Sequence, residues 1–433
     1  MAKNIVLIGG GPAATAAVEA IMEAGCRDPV VLVSDEAGPV NCRCLLSRVV
    51  SGEMAVGEMG WRPESFYRDM GVEAIWEERA VRIDPRARRV ELAGGQWLEY
   101  RALLLATGAS PVRPAVPGAE LPGIHTLRTG ADAMAIGRAA DTAREAVVVG
   151  GGLVGLEAAE AFASRGVAVT VVEAREHLMP EQLDARAGEM LAASLKALGV
   201  EVRCGAAVAS FVPGAGGRGL AVELAGGGSL TAGLVVLATG VRPVIELAAG
   251  AGAEIRQGVI VDEHMQTSLS DVYAAGDVAE VYDPVLEKNV VPGTWNVAVA
   301  QGRVAGRNMA GVPASYRPCL TAMHAGQIAG LAFAVVGQAN VPEEGAFEVH
   351  TMYRAEPPVY RRLVLKDGRL VGALLVGDVS RAGVYQAYVA RKYRVSAGDR
   401  DDLLHGRAVL PLSLPLISGD LRKGVHNRCL NVL

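Results

Sequence analysis

Two glycine-rich turns, 141 residues apart, constrain this chain more than any other feature. In the first, the apolar run Ile5-Val6-Leu7-Ile8 leads into Gly9-Gly10-Gly11-Pro12-Ala13-Ala14. In the second, Val147-Val148-Val149 leads into Gly150-Gly151-Gly152-Leu153-Val154-Gly155. Each reads as a buried parallel strand, a sharp turn and the opening of a helix, the G-x-G-x-x-G/A phosphate loop. The first glycine makes the turn, and the second lets the backbone approach a pyrophosphate. The third small residue, Ala14 or Gly155, lets helix and strand pack closely. Free N–H groups and the dipole at the new helix N-terminus then hold the anion. Ala13, Ala17 and Ile21, like Ala158 and Phe162, recur at helical spacing. One such turn is a weak signal. Two predict a chain that holds two dinucleotides at once, an arrangement that brings two redox cofactors together.

The residue ending the second strand of each unit bears on which nucleotide binds. Val169 to Val172 ends at Glu173, 23 residues after Gly150. A carboxylate there accepts hydrogen bonds from a ribose and repels a 2′-phosphate, which favours NAD(H) over NADP. Arg175, two residues on, softens that preference. In the first unit Val30 to Val33 runs into Ser34-Asp35-Glu36, so the ribose-binding acid is expected at Asp35 or Glu36. A short insertion around Cys26-Arg27-Asp28-Pro29 accounts for its late position.

At 433 residues the chain has room for two or three domains with substantial cores. Its net charge of −5 and lack of a basic block argue against a nucleic-acid partner. The most apolar stretch, Ile328 to Val336, is too short to span a membrane. The first strand begins at Asn4, which leaves no room for a signal peptide, so a cytoplasmic location is the expectation. Six cysteines stand at 26, 42, 44, 204, 319 and 429, with no C-x-x-C and no zinc or iron–sulfur spacing. No metal site is expected, and any cluster exchanging electrons with this chain would lie on another one.

Three further segments complete the pattern. Leu103 to Leu105 ends in Ala106-Thr107-Gly108, Val235 to Leu237 ends in Ala238-Thr239-Gly240, and Val272 to Ala275 ends in Gly276-Asp277. With these five motifs in order, residues 4 to 312 resemble the two-dinucleotide-binding-domain flavoproteins, the pyridine nucleotide–disulfide oxidoreductase superfamily. The resemblance implies an α/β fold of two Rossmann-like domains plus a C-terminal α+β interface domain. An FAD domain of residues 1–112 and 245–316 would be interrupted by an NAD domain, 113–244, and followed by 317–433. It further implies FAD contacts from Gly9, Gly11, Pro12, Ala13, Ala14, Asp35, Arg43, Ala106, Thr107, Gly108, Asp277 and Trp295. NAD contacts would come from Gly150, Gly152, Leu153, Val154, Gly155, Glu173 and Gly240.

The segment Val40-Asn41-Cys42-Arg43-Cys44-Leu45-Leu46-Ser47-Arg48 should begin the helix beside the flavin ring. It carries C-x-C where two-cysteine disulfide reductases carry C-x-x-x-x-C, which argues against glutathione-reductase-like chemistry. Cys44, eight residues before Gly52, resembles the single redox cysteine of NADH oxidases, NADH peroxidases and coenzyme A disulfide reductases. At a helix N-terminus beside Arg43 and Arg48, its thiol would ionise readily. Pro12 stands where the oxidases and peroxidases have a histidine, which counts against oxygen or peroxide chemistry. The form Arg-x-x-Leu-Ser-Arg resembles rubredoxin and ferredoxin reductases, in which no cysteine takes part. Cys42 and Cys44 read equally well as two small buried residues. The resemblance also pairs Arg48 with Glu157 near flavin N5 and the nicotinamide; a surface ion pair is the other reading. Pro292 to Asn296 precedes a helix whose N-terminus would face the flavin, with Trp295 at the ring edge or simply in the core.

From Tyr316 onward alternating apolar runs at 347–352, 360–365 and 370–376 predict strands, the last two joined through Lys366-Asp367-Gly368 as a hairpin. Residues 383–394 read as a helix. This region resembles the family's interface domain, which leaves monomer and homodimer both open. The tail, 407–433, reads as an arm on another subunit or as a strand on its own domain. The expected reaction is hydride exchange between NAD(H) and FAD, with single electrons passing to or from an iron–sulfur protein: ferredoxin, rubredoxin or a complex subunit. The chain is similar to FAD/NAD subunits of aldehyde or 2-oxoacid oxidoreductases of the phenylglyoxylate dehydrogenase and tungsten aldehyde oxidoreductase types. The alternative is a stand-alone coenzyme A disulfide or thiol reductase, or an NADH oxidase, working through Cys44.

Overall fold

A computed structural model describes residues 4–39, 42–63, 65–214, 216, 219–317, 323–341 and 345–408. Val40, Asn41, Cys319, Cys429 and most of the expected tail lie outside the described residues. The chain forms two compact units.

The first unit comprises residues 1–42, 57–110 and 241–321. Its parallel sheet runs in the order Val72–Ile75, Val30–Val33, Asn4–Ile8, Trp97–Leu105 and Val272–Ala274. Ile5 pairs with Val30 and Ala102, and Val272 pairs with Leu103. Both faces of the central strands are covered, so Ile5, Val6, Leu7 and Leu103 to Leu105 are almost wholly buried. The outer half of Trp97–Leu105 turns away to pair antiparallel with Arg89–Leu92. Two helices, Pro12–Glu23 and Trp295–Met309, pack closely against one another. Small residues four apart make this approach feasible. A Cβ on Gly302 would lie 2.1 Å from the Ala13 carbonyl oxygen, and one on Gly306 would lie 2.4 Å from that of Ala17.

The second unit comprises residues 43–56, 111–240 and 322–433. Its parallel sheet runs Glu201–Arg203, Ala168–Val172, Glu145–Val149, Leu234–Leu237, Ile124–Thr126, beside a three-stranded antiparallel sheet. The helix Leu153–Ser164 follows the second glycine turn. The C-terminal segment forms a five-stranded antiparallel sheet in the order Met323–Ile328, Leu331–Gly337, Arg369–Val376, Val359–Lys366, Glu348–Arg354. The expected hairpin is present, with Asp367 and Gly368 both at positive φ and Lys366 opposite Arg369. The helix expected at 383–394 forms as Ala382–Ala390. The apolar stretch at 328–336 largely forms Leu331–Gly337, a strand between two neighbours in this sheet.

Candidate active site

The two glycine turns are built alike. Gly9 and Gly150 sit at φ +103° and +113°, the region that favours glycine. A Cβ on either would fall 2.2 or 2.3 Å from the carbonyl oxygen of Ala106 or Ala238. Gly9 N–H donates to Val33 O at 2.7 Å, and Gly150 N–H donates to Val172 O at 2.8 Å. Gly155 packs so tightly that its Cβ would meet Gly150 O at 2.1 Å, the close helix–strand approach its position requires.

Both following helices begin with an extended glycine, Gly11 or Gly152, that provides no side-chain cap, and neither has an acid in its first turn. A Cβ on Gly11 or Gly152 would meet nothing within 4 Å. Elsewhere in the second unit, Gly130–Ala140 and Ala185–Ala197 are capped by Thr129 and Asp184. The fingerprint helices thus start without a side-chain cap and with open space beside the glycine that precedes them, room that a pyrophosphate needs.

In the first unit Ala106 lies against Gly9, and Gly276 would bring a Cβ within 3.3 Å of Ala13 Cβ. Asp277 is the residue after the one that meets the fingerprint helix. Gly276 N–H donates to the buried Gln301 Oε1 at 2.8 Å, while Gln301 Nε2 is buried without a hydrogen-bond partner. Thr294, the N-cap of Trp295–Met309, extends a buried hydroxyl that also has none. Such orphaned polar atoms are costly unless a ligand satisfies them, and they fit the polar parts of FAD. Trp295 meets Trp61 edge-to-face at 5.3 Å, and the Arg62 guanidinium lies 4.4 Å from the Trp61 ring centroid. Arg62 also pairs with Glu19, Nε to Oε1 at 2.5 Å. A cavity of about 560 Å³ opens among Ala37, Gly38, Pro39, Ser65, Arg68 and Trp76, just past the ends of Val30–Val33 and Val72–Ile75. That size suits part of a nucleotide.

Two details add to the sequence reading. The buried slot at the end of Val30–Val33 is filled by Ser34, against which a Cβ on Gly10 would come within 2.9 Å; Asp35 is exposed one residue on. Thr107 donates its hydroxyl to Val244 O at 2.8 Å, so this side chain clasps the returning chain. Thr239 does the same with Val112 O at 2.7 Å. Gly108 and Gly240, at φ +70° and +102°, complete those turns.

In the second unit Glu173 fills the slot that Ser34 fills in the first. Its Oε2 accepts from Gly151 N–H at 2.6 Å and its Oε1 from Arg175 N–H at 2.8 Å. A carboxylate has about four acceptor directions, so these bonds fix its orientation and leave capacity for ribose hydroxyls. Leu153 and Val154 are 40% and 44% exposed at the helix start, apolar surface available for a ligand to cover. The Arg175 side chain pairs with Glu181 at 3.3 Å on the surface.

The segment 43–56 carries Arg43–Leu45 as a single 3-10 turn and Leu46–Ser51 as a short helix. Arg165, just past the helix Leu153–Ser164, holds it by donating to Val50 O at 2.7 Å. The structure pairs Arg48 with Glu53, at 3.4 Å on the surface. Among side chains, Cys44 acts most strongly on Glu157. Burial foremost, then Cys44 and Glu160, push the Glu157 carboxyl up to about 8. Cys42 is buried but Cys44 is exposed, so the reading of two buried cysteines holds for only one of them. The sequence reading placed Thr294 and Gln301 in the segment expected to face the flavin but gave neither a role, and it missed Trp61 and Trp76; Gly302 and Gly306 signal how closely that segment packs.

Comparison with known proteins agrees with this geometry. Residues 3–302 match the family described as "Pyridine nucleotide-disulphide oxidoreductase", and residues 327–393 match "Rubredoxin NAD+ reductase C-terminal domain". The chain is 33% identical to the epsilon subunit of NADH-dependent phenylglyoxylate dehydrogenase from Aromatoleum evansii, over 89% of this chain and 91% of that one. It is 27% identical to NADH-rubredoxin oxidoreductase from Clostridium acetobutylicum, over 87% of this chain and 92% of that one. Among solved structures, the ferredoxin reductase for the CYP199A2 system from Rhodopseudomonas palustris matches with a TM-score of 0.84 and 25% identity. That match covers 94% of this chain and all of the other.

Proposed function

Because the chain belongs to the pyridine nucleotide-disulphide oxidoreductase family, we propose that it links NAD(H) to an iron–sulfur protein or subunit through bound FAD. At the level of the family it is an FAD- and NAD(H)-dependent oxidoreductase. The finer reading is the NAD-linked subunit of an aldehyde or 2-oxoacid oxidoreductase, supported by similarity along most of the length of the phenylglyoxylate dehydrogenase subunit. Bound FAD would supply the conversion between a two-electron hydride and single electrons. The observation that carries the proposal is the repeated, uncapped glycine turn with room above each second glycine.

The residues divide accordingly. Gly9, Gly11, Ala13 and Ala14, with Asp277 and the N-terminus of Trp295–Met309, would hold FAD. Thr294 and Gln301 would supply polar contacts to it. Gly150, Gly152 and Gly155 would seat the nicotinamide nucleotide, with Glu173 orienting its ribose and disfavouring a 2′-phosphate. Glu157, half-buried near Cys44, would hold a proton at neutral pH. The functional division proposed is FAD-binding for 1–112 with 245–316, NAD-binding for 113–244, and a C-terminal interface region from 317.

Exposure of Cys44 favours one second reading, a coenzyme A disulfide or thiol reductase. The two are separated by following NADH oxidation with a ferredoxin, a rubredoxin or coenzyme A disulfide as acceptor, in wild type and in Cys44→Ser. Retained reduction of the iron–sulfur acceptor by the variant supports the proposal. Turnover confined to the disulfide, and lost in Cys44→Ser, overturns it.

A further inference from the structure

Resting on the reading of Gly150–Gly155 as the nicotinamide-nucleotide turn, we propose that Asn340, Tyr360 and Arg362 are positioning residues for that nucleotide. They belong to the C-terminal segment and act through the 178–184 loop. The loop's inner end meets the turn itself. Met179 N–H donates to Gly151 O at 2.9 Å, while Gly151 N–H donates to Glu173 Oε2 at 2.6 Å. Both sides of Gly151 are therefore held. Leu178 Cδ2 lies 2.7 Å from where a Gly151 Cβ would be, so the loop packs directly on the turn.

This loop does not hold its shape by local preference alone. Met179 sits at φ +49°, in the left-handed region that a methionine adopts only when its surroundings impose it. Gln182 and Leu183 N–H both donate to Met179 O, at 2.9 and 2.8 Å, closing a tight loop. The external restraint comes from far along the chain. Asn340 Nδ2 donates to Pro180 O and Leu183 O, each at 2.9 Å. Tyr360 Oη donates to Asp184 Oδ2 at 2.5 Å, and Arg362 Nη1 reaches the same oxygen at 3.3 Å. Arg362 is itself fixed by Ala339 O and Val341 O, each at 3.2 Å. The Arg362 and Asp184 side chains are only 9% and 13% exposed, so water competes weakly for this anchor. Asp184 Oδ1 meanwhile caps Ala187 N–H at 3.0 Å, which extends the restraint into the next helix.

Three side chains of the C-terminal segment thus converge on one loop, and that loop braces the glycine whose peptide shapes the nucleotide seat. Removing a single restraint should loosen the seat without touching the flavin's own contacts. The test uses the full chain loaded with FAD. NAD+ and ADP-ribose are titrated calorimetrically into wild type, Asn340→Ala and Tyr360→Phe. Neither variant deletes a large core side chain, so both should fold. For each variant the dissociation constant for both probes should rise about three- to tenfold, within the worth of the one or two hydrogen bonds removed. KM for NADH should rise with it, while kcat, FAD content and the rate of flavin reduction by dithionite stay at wild-type values. Dissociation constants within twofold of wild type in both variants would overturn the inference. So would loss of FAD alongside the nucleotide, since that marks general damage. If wild type binds neither probe, the nucleotide reading of the turn fails first and takes the inference with it.

Discussion

Replacing Gly302 by alanine should uncouple the two helices that frame the proposed FAD site. The added Cβ would lie 2.1 Å from Ala13 O, 2.8 Å from Ala13 C and 2.9 Å from Ala13 Cα. These are backbone atoms of the fingerprint helix, so no side chain can swing aside. To restore an ordinary contact of at least about 3.4 Å the helices must part by more than roughly 1 Å at this point, or the sheet beneath must give. Overpacking of this kind costs about 1–3 kcal/mol. For a unit of this size that corresponds to a fall in Tm of roughly 2–12 °C. The displacement falls beside the N–H groups proposed to hold the pyrophosphate, and Gln301, which orients Gly276, is the adjacent residue. FAD content after purification should therefore drop at least tenfold, read from the ratio of flavin to protein absorbance. Gly57→Ala is the matched control in the same unit, because a Cβ there meets nothing within 4 Å and its φ is ordinary for an L-residue. Full flavin content in Gly302→Ala, with Tm within a degree of wild type, would refute the packing argument.

Other outcomes follow from the second unit. Glu157 has its carboxyl raised from 4.5 to about 8, so folding favours its protonated form. The stability this contributes is fully present below about pH 4.5 and is lost as pH rises through about 8. Partial solvent access reduces the effect to about 1–2 kcal/mol. Glu157→Gln should flatten the decline of Tm between pH 6 and 9 measured on the apoprotein, and parallel profiles would contradict the assignment. Glu173→Ala removes acceptors for two backbone N–H groups and the charge facing a 2′-phosphate. It should raise KM for NADH about tenfold or more and narrow the NADH-to-NADPH preference in kcat/KM; an unchanged preference would count against its role. Arg362→Leu leaves Asp184 without its buried cation and should cost about 3–5 kcal/mol in urea unfolding. A loss below 1 kcal/mol would show that the pair is not an anchor.

Features set by local sequence were legible. Strand, glycine turn and helix follow one another within about a dozen residues, and the positive φ of Gly9 and Gly150 admits little but glycine. The hairpin at Lys366-Asp367-Gly368 was readable for the same reason. Features set by distant partners were not. Arg361 and Arg362 lie in Val359–Lys366 between Val359-Tyr360 and Leu363 to Leu365, and as charged residues would be read as facing water. Both are buried, because Asp378 and Asp184 meet their charges. Ser34 follows its strand just as Glu173 follows Val172, but that it packs on Gly10 as Glu173 packs on Gly151 depends on tertiary contact.

The most direct test of the account is an anaerobic titration of the purified chain with NADH, followed by visible absorbance. A yellow protein whose flavin band is bleached by about one equivalent of NADH, and restored by an oxidised iron–sulfur acceptor, is the predicted result. A colourless protein that takes up no FAD on reconstitution, or a yellow one that NADH leaves oxidised, would contradict it.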